Sequence, residues 1–314
     1  MRPYEILVDV TCDLPEELRS RFGIRVIPGH MTVPGGKDIP TVQRWGEPYE
    51  RKEFYAALKA DPDGFTTAPP NVLEFASAME EVLAEGKDAV VLTISSGISG
   101  TFGFASQAAK EACARFPEGT VRVVDTLRFG PAAGLLAVQA AMLREEGASL
   151  EECAGWLEAN KNRYHQAGWL DDLSFVAKKG RMTNAKAFFG TLIGIKPIGE
   201  FDYNGMTTVI AKFKGAKAAY QGLLYYIRET IEDPEDQIIF VAQSDREAQA
   251  LQFKALIEEA IRPKQVIVTD LHCACGVSVG PGLMAAYYRG KPISADLSEE
   301  KAVYERYMKK ESER

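Results

Sequence analysis

Two stretches carry the residues best suited to chemistry. The first is TISSGISGT, Thr93–Thr101, which joins an apolar run to an amphipathic one. Ser95, Ser96 and Ser99 supply hydroxyls, and a helix start after them supplies unpaired N–H groups. Together these suit a carboxylate or a phosphate. A capped strand–helix turn with no ligand has the same composition. A nucleophilic serine is a third reading. The segment Gly97-Ile98-Ser99-Gly100-Thr101 lacks the last glycine of a hydrolase elbow. His30, His165 and His272 lie in no triad context.

The second stretch is LHCACGVSVGPGLMAAYY, with His272, Cys273 and Cys275 inside four residues. A structural zinc site takes four ligands, and no second CxxC or HxxxH completes a set. The Cys-x-Cys spacing is also not that of a CxxC redox pair. Buried thiols with no metal are the expectation, and the role of His272 is left open. Gly280-Pro281-Gly282 reads as a tight turn that brings backbone close to a neighbour.

The elements that position these stretches follow from periodicity. Glu5–Val10 and Asp88–Ser95 read as buried parallel strands, and Gly23–Val33 as a further strand. Asp13 with Glu16, and Asn71 with Glu74, have capping-box spacing at helix starts. Pro34–Glu50 is a polar, Gly- and Pro-containing loop. Strands alternating with helices as far as residue 165 predict a doubly wound, mostly parallel α/β sheet. Beyond it, Asn204-Gly205 between two strand-like runs predicts a hairpin and a mixed sheet with an antiparallel element. The expected domains are 1–165 and 166–314.

Composition bounds the function. The chain has 314 residues, 46% hydrophobic and 26% charged, with a formal net charge of −7. That charge disfavours nucleic acid and anionic membrane surfaces as main partners. No apolar run approaches the roughly 18 residues of a membrane span. Five scattered cysteines and no secretory leader point to a cytoplasmic setting.

In order along the chain, ILVDVTCDLP, FTTAPPN, LTISSGISGTF, LDDLSFVAKKGRMTNAKAFFGTLIGIKPI and VGPGLMAAYY resemble the DegV family of fatty-acid-binding proteins. The resemblance implies two α/β domains with a long-chain fatty acid between them, no cofactor and no catalysis by the chain itself. It implies that Thr66 and Ser95 or Ser96 hold the carboxylate, with Arg181 near. Thr67, Gly97, His30, Gly280, Phe188, Phe189 and Ile193 make up the wider pocket. It also implies presentation of the carboxylate to a separate ATP-dependent kinase subunit. This agrees with the lack of a Walker loop in the chain.

The sequence departs from the family pattern in places. Ser278 stands where members carry a histidine before the Gly-Pro-Gly turn. It can donate a hydrogen bond but cannot become a cation. Either Ser278, with His30 or a water, completes the carboxylate site, or this chain has lost the step that the histidine serves. Ala68 and Pro70 replace Gln and Ser, and Lys214 replaces an arginine expected at the partner contact. Two alternatives stand beside the lipid carrier. One is a serine-dependent acyl or phosphoryl hydrolase or transferase using Ser95–Thr101. The other is a module for a different carboxylate.

Overall fold

The computed structural model describes residues 2–46, 48–183 and 194–313. The chain opens with β1 (Tyr4–Asp9), α1 (Glu16–Phe22) and β2 (Ile24–Ile27). Short strands β3 (His30–Thr32) and β4 (Asp38–Pro40), helix α2 (Arg51–Ala60) and strand β5 (Thr66–Ala68) follow. Then come α3 (Val72–Ala84), β6 (Asp88–Thr93), α4 (Thr101–Arg115), β7 (Val121–Asp125), α5 (Gly130–Glu145) and α6 (Leu150–Asn160). The second half begins with β8 (Tyr164–Leu170), α7 (Ser174–Lys178), β9 (Ile195–Phe201), β10 (Thr207–Lys214) and α8 (Ala216–Thr230). It continues through β11 (Ile238–Gln243), α9 (Glu247–Ala260), β12 (Gln265–Asp270), α10 (Cys273–Val279), β13 (Leu283–Arg289) and α11 (Ser298–Ser312).

Among the described residues the strands form three sheets. The first, β2-β1-β6-β7, is parallel throughout. From β1 the chain turns to β2 on one side and later returns to β6 on the other. The loops after β1 and β6 therefore diverge at a topological switch point, where open α/β sheets bind ligands. The second sheet, β10-β9-β8-β13-β11-β12, is mixed, with only β11–β12 parallel. A small antiparallel sheet, β4-β3-β5, lies beside them.

Helix α5 decides how the two large sheets sit. Its sequence, GPAAGLLAVQAAMLRE, is Ala-, Gly- and Leu-rich around most of its circumference, and Gly130–Val138 are buried without a break. A helix apolar on every side must be covered on every side. It packs on β1 from one direction and on β8, β11 and β13 from the other. Small residues permit close approach: a Cβ at Gly134 would lie 2.6 Å from the Cys12 carbonyl oxygen. The resulting core joins Ile6, Val8 and Leu92 with Phe240, Ala285 and Tyr287. A division near residue 165 thus separates the two large sheets but not this core. Helices α3 and α4 cover the other face of the parallel sheet. Helices α8, α9 and α11 cover that of the mixed sheet.

The β9–β10 hairpin reaches across and locks onto the first half. Asn204-Gly205 forms its tip, with Gly205 at φ 78°. The Ser95 hydroxyl donates to the Gly205 carbonyl at 2.8 Å, and Gly97 leaves no room for a Cβ beside the Asn204 carbonyl. Where β9 enters the turn the fully buried Arg128 guanidinium donates to the Phe201 and Asp202 carbonyls, each at 3.0 Å, and to Asn162 Oδ1 at 2.7 Å. Burial pushes its pKa down to about 10, against the pull of Glu200, Asp202 and Asp125.

Three local expectations are corrected. Gly23–Val33 is two strands in different sheets, broken at Pro28-Gly29 where the chain crosses between sheets. There Gly29 bonds Thr41 in both directions, and a Cβ would meet the Ala68 carbonyl at 2.8 Å. Asp13 does not cap α1. It sits at φ 43° with its carboxylate turned to His272, and Pro15 opens the helix with no side-chain cap. The Pro34–Glu50 loop contains β4, and FTTAPPN contains β5; both are too short to show a period.

The docked hairpin yields a stability test. In Gly205→Ala the new Cβ would fall 1.9 Å from Ser95 Oγ at a positive φ. A loss of about 2–3 kcal/mol is expected. Ser95→Ala, which deletes the bond but keeps the fit, should lose about 1–2 kcal/mol. Urea unfolding midpoints of both variants against wild type check this order.

Candidate ligand-binding site

A cavity of about 230 Å³ lies between the carboxyl ends of the parallel strands and one face of the mixed sheet. Its floor can be read from strand register. Gly168 on β8 stands opposite Gly199 on β9 and Ala285 on β13, which makes a row with almost no side-chain volume. Phe201 opposite Thr207 bounds that row on one side, and Leu170 opposite Leu283 on the other. The floor is thus a trough between larger groups. The roof comes from the switch-point loops, Asp9–Thr11 and Ile94–Thr101, with Phe129 after β7.

Exposure divides the lining into two zones. His30, Thr67, Ser99, Arg181 and Ser278 are half-buried, while Phe129, Leu173, Val176, Phe201 and Leu283 are buried. The mouth is therefore polar and the interior largely apolar. Strand alternation decides which threonine serves: Thr66 is exposed and off the cavity, and Thr67 lines it. Helix α10 packs against β3 and β5, which brings Ser278 to the same mouth. Ser99 Oγ lies 2.7 Å from Thr101 Oγ1 at the start of α4. Gly100 gives that helix no side-chain cap, but the Thr101 N–H turns back to Ser99 Oγ at 3.4 Å, and Phe102 and Gly103 lie off the cavity lining.

Several sequence candidates do other work. Ser95 is fully buried and committed to the hairpin tip. Ser96 is exposed and off the cavity lining, and its N–H bonds Asp125 Oδ1 at 3.1 Å. Gly97 serves the hairpin contact. Gly280, at φ 74°, packs on the Phe175 ring, where a Cβ would lie 2.4 Å away. Lys214 is exposed at the end of β10 and off the cavity. Phe188, Phe189 and Ile193 lie outside the described residues.

Reasoning from the sequence missed Asp9, Thr11, Thr101 and Gln166 in the lining. For Asp9 and Thr11 a signal existed, since they end the strand beside the switch point. Burial raises the Asp9 pKa, while the Thr11 hydroxyl and N–H and the Ile94 N–H at 2.7 Å oppose it. The carboxylate ties the end of β1 to the end of β6. For Gln166 no local signal existed.

His272 and Cys273 form a buttress behind the wall, to which Cys275 itself belongs. His272 Nδ1 lies 3.0 Å from Asp13 Oδ1, and its ring stacks on Trp45 at 5.0 Å. Burial, then the Asp13 charge, pushes the Cys273 thiol up to about 12. Burial also raises Cys275, which donates to the Thr11 carbonyl at 3.3 Å. Such thiols are poor nucleophiles and poor metal ligands.

His30 lines the mouth but cannot freely serve a ligand. Its Nδ1 is 3.0 Å from Asp38 Oδ2, and its Nε2 is 2.8 Å from Glu74 Oε1. The Glu74 hydrogen bond raises its pKa, against partial burial, and Asp38 adds to the rise. Burial pulls Glu74 upward, but the Asn71 N–H and His30 outweigh it, so its pKa is lowered. Arg181 lines the cavity while donating to the Lys179 carbonyl.

Fold and site together define a two-sheet α/β protein whose seam encloses a cavity with a polar mouth and an apolar trough. A family model described as uncharacterised protein, DegV family, matches residues 3–291, and the chain belongs to that family. A fatty acid-binding protein of Thermotoga maritima is 28% identical over 281 residues, 88% of this chain and 94% of its own. A DegV domain-containing protein of Clostridium perfringens is 27% identical over 292 residues, 92% and 98% of the two chains. The solved structure of a DegV family protein from Thermus thermophilus, described as binding fatty acid, superposes with a TM-score of 0.81 at 28% identity. It covers 92% of this chain and 100% of that one.

The His30–Glu74 pair gives a pH test. The raised His30 pKa contributes stability that is full below its ordinary value of 6.5 and is lost as pH rises through the folded value. The lowered Glu74 pKa contributes stability that is full above 4.5 and is lost as pH falls through the folded value. The Tm difference between wild type and His30→Gln should therefore peak between those two values and shrink toward alkaline pH. Thermal melts across a pH series measure it.

Proposed function

We propose that this protein binds a long-chain fatty acid without covalent chemistry, its carboxylate at the mouth and its tail in the trough. The observation that carries the reading is the division of one cavity into half-buried hydroxyl donors and a buried floor of glycine, alanine and larger apolar groups. A carboxylate leaving water needs hydrogen bonds in exchange. Thr67, Ser99 and Ser278 are the groups assigned to it, and Arg181 adds positive charge nearby. The tail contributes most of the affinity, about 0.8 kcal/mol per buried methylene. The relatives described as fatty-acid-binding support this assignment.

The same cavity is less suited to a serine enzyme. Ser95 is spent on the hairpin, and the Ser99 hydroxyl is placed on Thr101 with no histidine bonded to it among the described residues. A mouth that stays half-exposed leaves a bound carboxylate reachable from outside. That suits presentation to a separate ATP-dependent kinase subunit, with the exposed Lys214 as a candidate contact.

Thr67→Ala, Ser99→Ala and Ser278→Ala should each weaken binding about 10- to 150-fold, the loss of one hydrogen bond to a charged group. Thr66→Ala and Ser96→Ala should change it less than about twofold. Displacement of a fluorescent fatty acid reads all five. Strong effects at Thr66 and Ser96 with none at the other three would overturn the assignment.

A further inference from the structure

Two glycines stand side by side in the cavity floor, and the protein around them requires only one. The floor row crosses four strands as Val209 on β10, Gly199 on β9, Gly168 on β8 and Ala285 on β13. All four residues line the cavity. Gly168 is buried, and a Cβ there would fall 2.3 Å from the Ala285 Cβ and the Met284 carbonyl oxygen. Packing alone explains that glycine. At Gly199 a Cβ would meet nothing closer than Thr207 Cγ2 at 3.7 Å among the described residues. Its φ is not positive, so the backbone does not require glycine either. The irregularity between Val209 and Ala211 puts its extra residue on β10, not on β9.

Gly199 has a strand on each side, yet it is only half-buried. Its chain neighbours Ile198 and Glu200 are fully buried on the opposite face, in the core under α8 and against His165. The surface that Gly199 shows therefore lies on the cavity side. A glycine inside a strand weakens it, and one with open space above it marks a close approach to the backbone. We infer that Gly199 is a specificity-determining residue: the acyl tail crosses the strands over its bare backbone, and the missing side chain sets how long that tail can be. A side chain here would stand in the row between Gly168 and Val209 and close it. Gly199 is one strand spacing from one end of the row and two from the other. A spacing of about 4.8 Å takes about four methylenes of an extended chain. The inference rests on the acyl reading of the cavity and adds the residue that admits long straight tails.

Isothermal titration calorimetry on the full chain, with saturated straight-chain acids from octanoic to stearic, tests this. In wild type each added methylene should tighten binding up to about fourfold, until the tail reaches its limit. In Gly199→Leu that limit should come at least about four methylenes earlier, whichever way the tail runs. Acids below the new limit should stay within about twofold of wild type. An unchanged limit in a folded Gly199→Leu protein overturns the inference, because the tail then does not pass this residue. Equal weakening of every acid also overturns it, since a disturbed fold would do the same. If the leucine variant does not fold, Gly199→Ala decides: a shorter limit supports the inference and the wild-type limit overturns it. Binding to wild type with no shift at Gly199 removes only this inference. Failure of every acid to bind wild type removes the acyl reading as well.

Discussion

Helix α5 has no wide polar face, and this constraint organises the molecule. A helix made of alanine, glycine and leucine on nearly every side can be stable in water only if protein surrounds it. The parallel sheet covers one side through β1, and β8, β11 and β13 of the mixed sheet cover the other. The two large sheets are thereby held together across one shared helix. Arg128 and Ser95 add direction to this apolar contact by fastening the β9–β10 hairpin to the loops beside α5. The cavity is the space left where the carboxyl ends of the parallel strands meet the mixed sheet without α5 between them.

The site inherits its character from that seam. Charges near its interior are tied to protein groups: Asp9 to the end of β6, and Arg128 to hairpin carbonyls. The mouth offers hydroxyls, which hydrogen-bond an anion without the desolvation that a buried ammonium would require. His30 is the titratable group at the rim. Its two ring nitrogens are engaged by Asp38 and Glu74, so it organises β3, β4 and the start of α3 rather than standing as an open donor.

The family and the alternation of strands and helices were legible because they rest on local patterns: buried apolar runs, an Asn-Gly turn, and capping residues such as Asn71 with Glu74. The loops that face the cavity were legible for the same reason, since strand ends in α/β sheets are predictable. Assignment within a loop was not. Ser95, Ser96 and Ser99 are chemically alike, and only the arrival of Gly205 from 110 residues away commits the Ser95 hydroxyl to the hairpin rather than the cavity. Thr66 and Thr67 differ only in which face of a three-residue strand they occupy, and that strand is set by pairing with β3.

By itself the sequence determined the longer elements, the parallel-then-mixed order of the sheets, and the family, but not the short strands β3, β4 and β5. These depend on periodicity, turn chemistry and ordered motifs, which act over a few residues at a time. Tertiary structure alone decided which hydroxyls meet the cavity and that Asp13 and His272 brace each other. Those outcomes depend on groups distant in sequence competing for the same hydrogen bonds and the same space. The competition is resolved only when α5 is enclosed and the hairpin is docked.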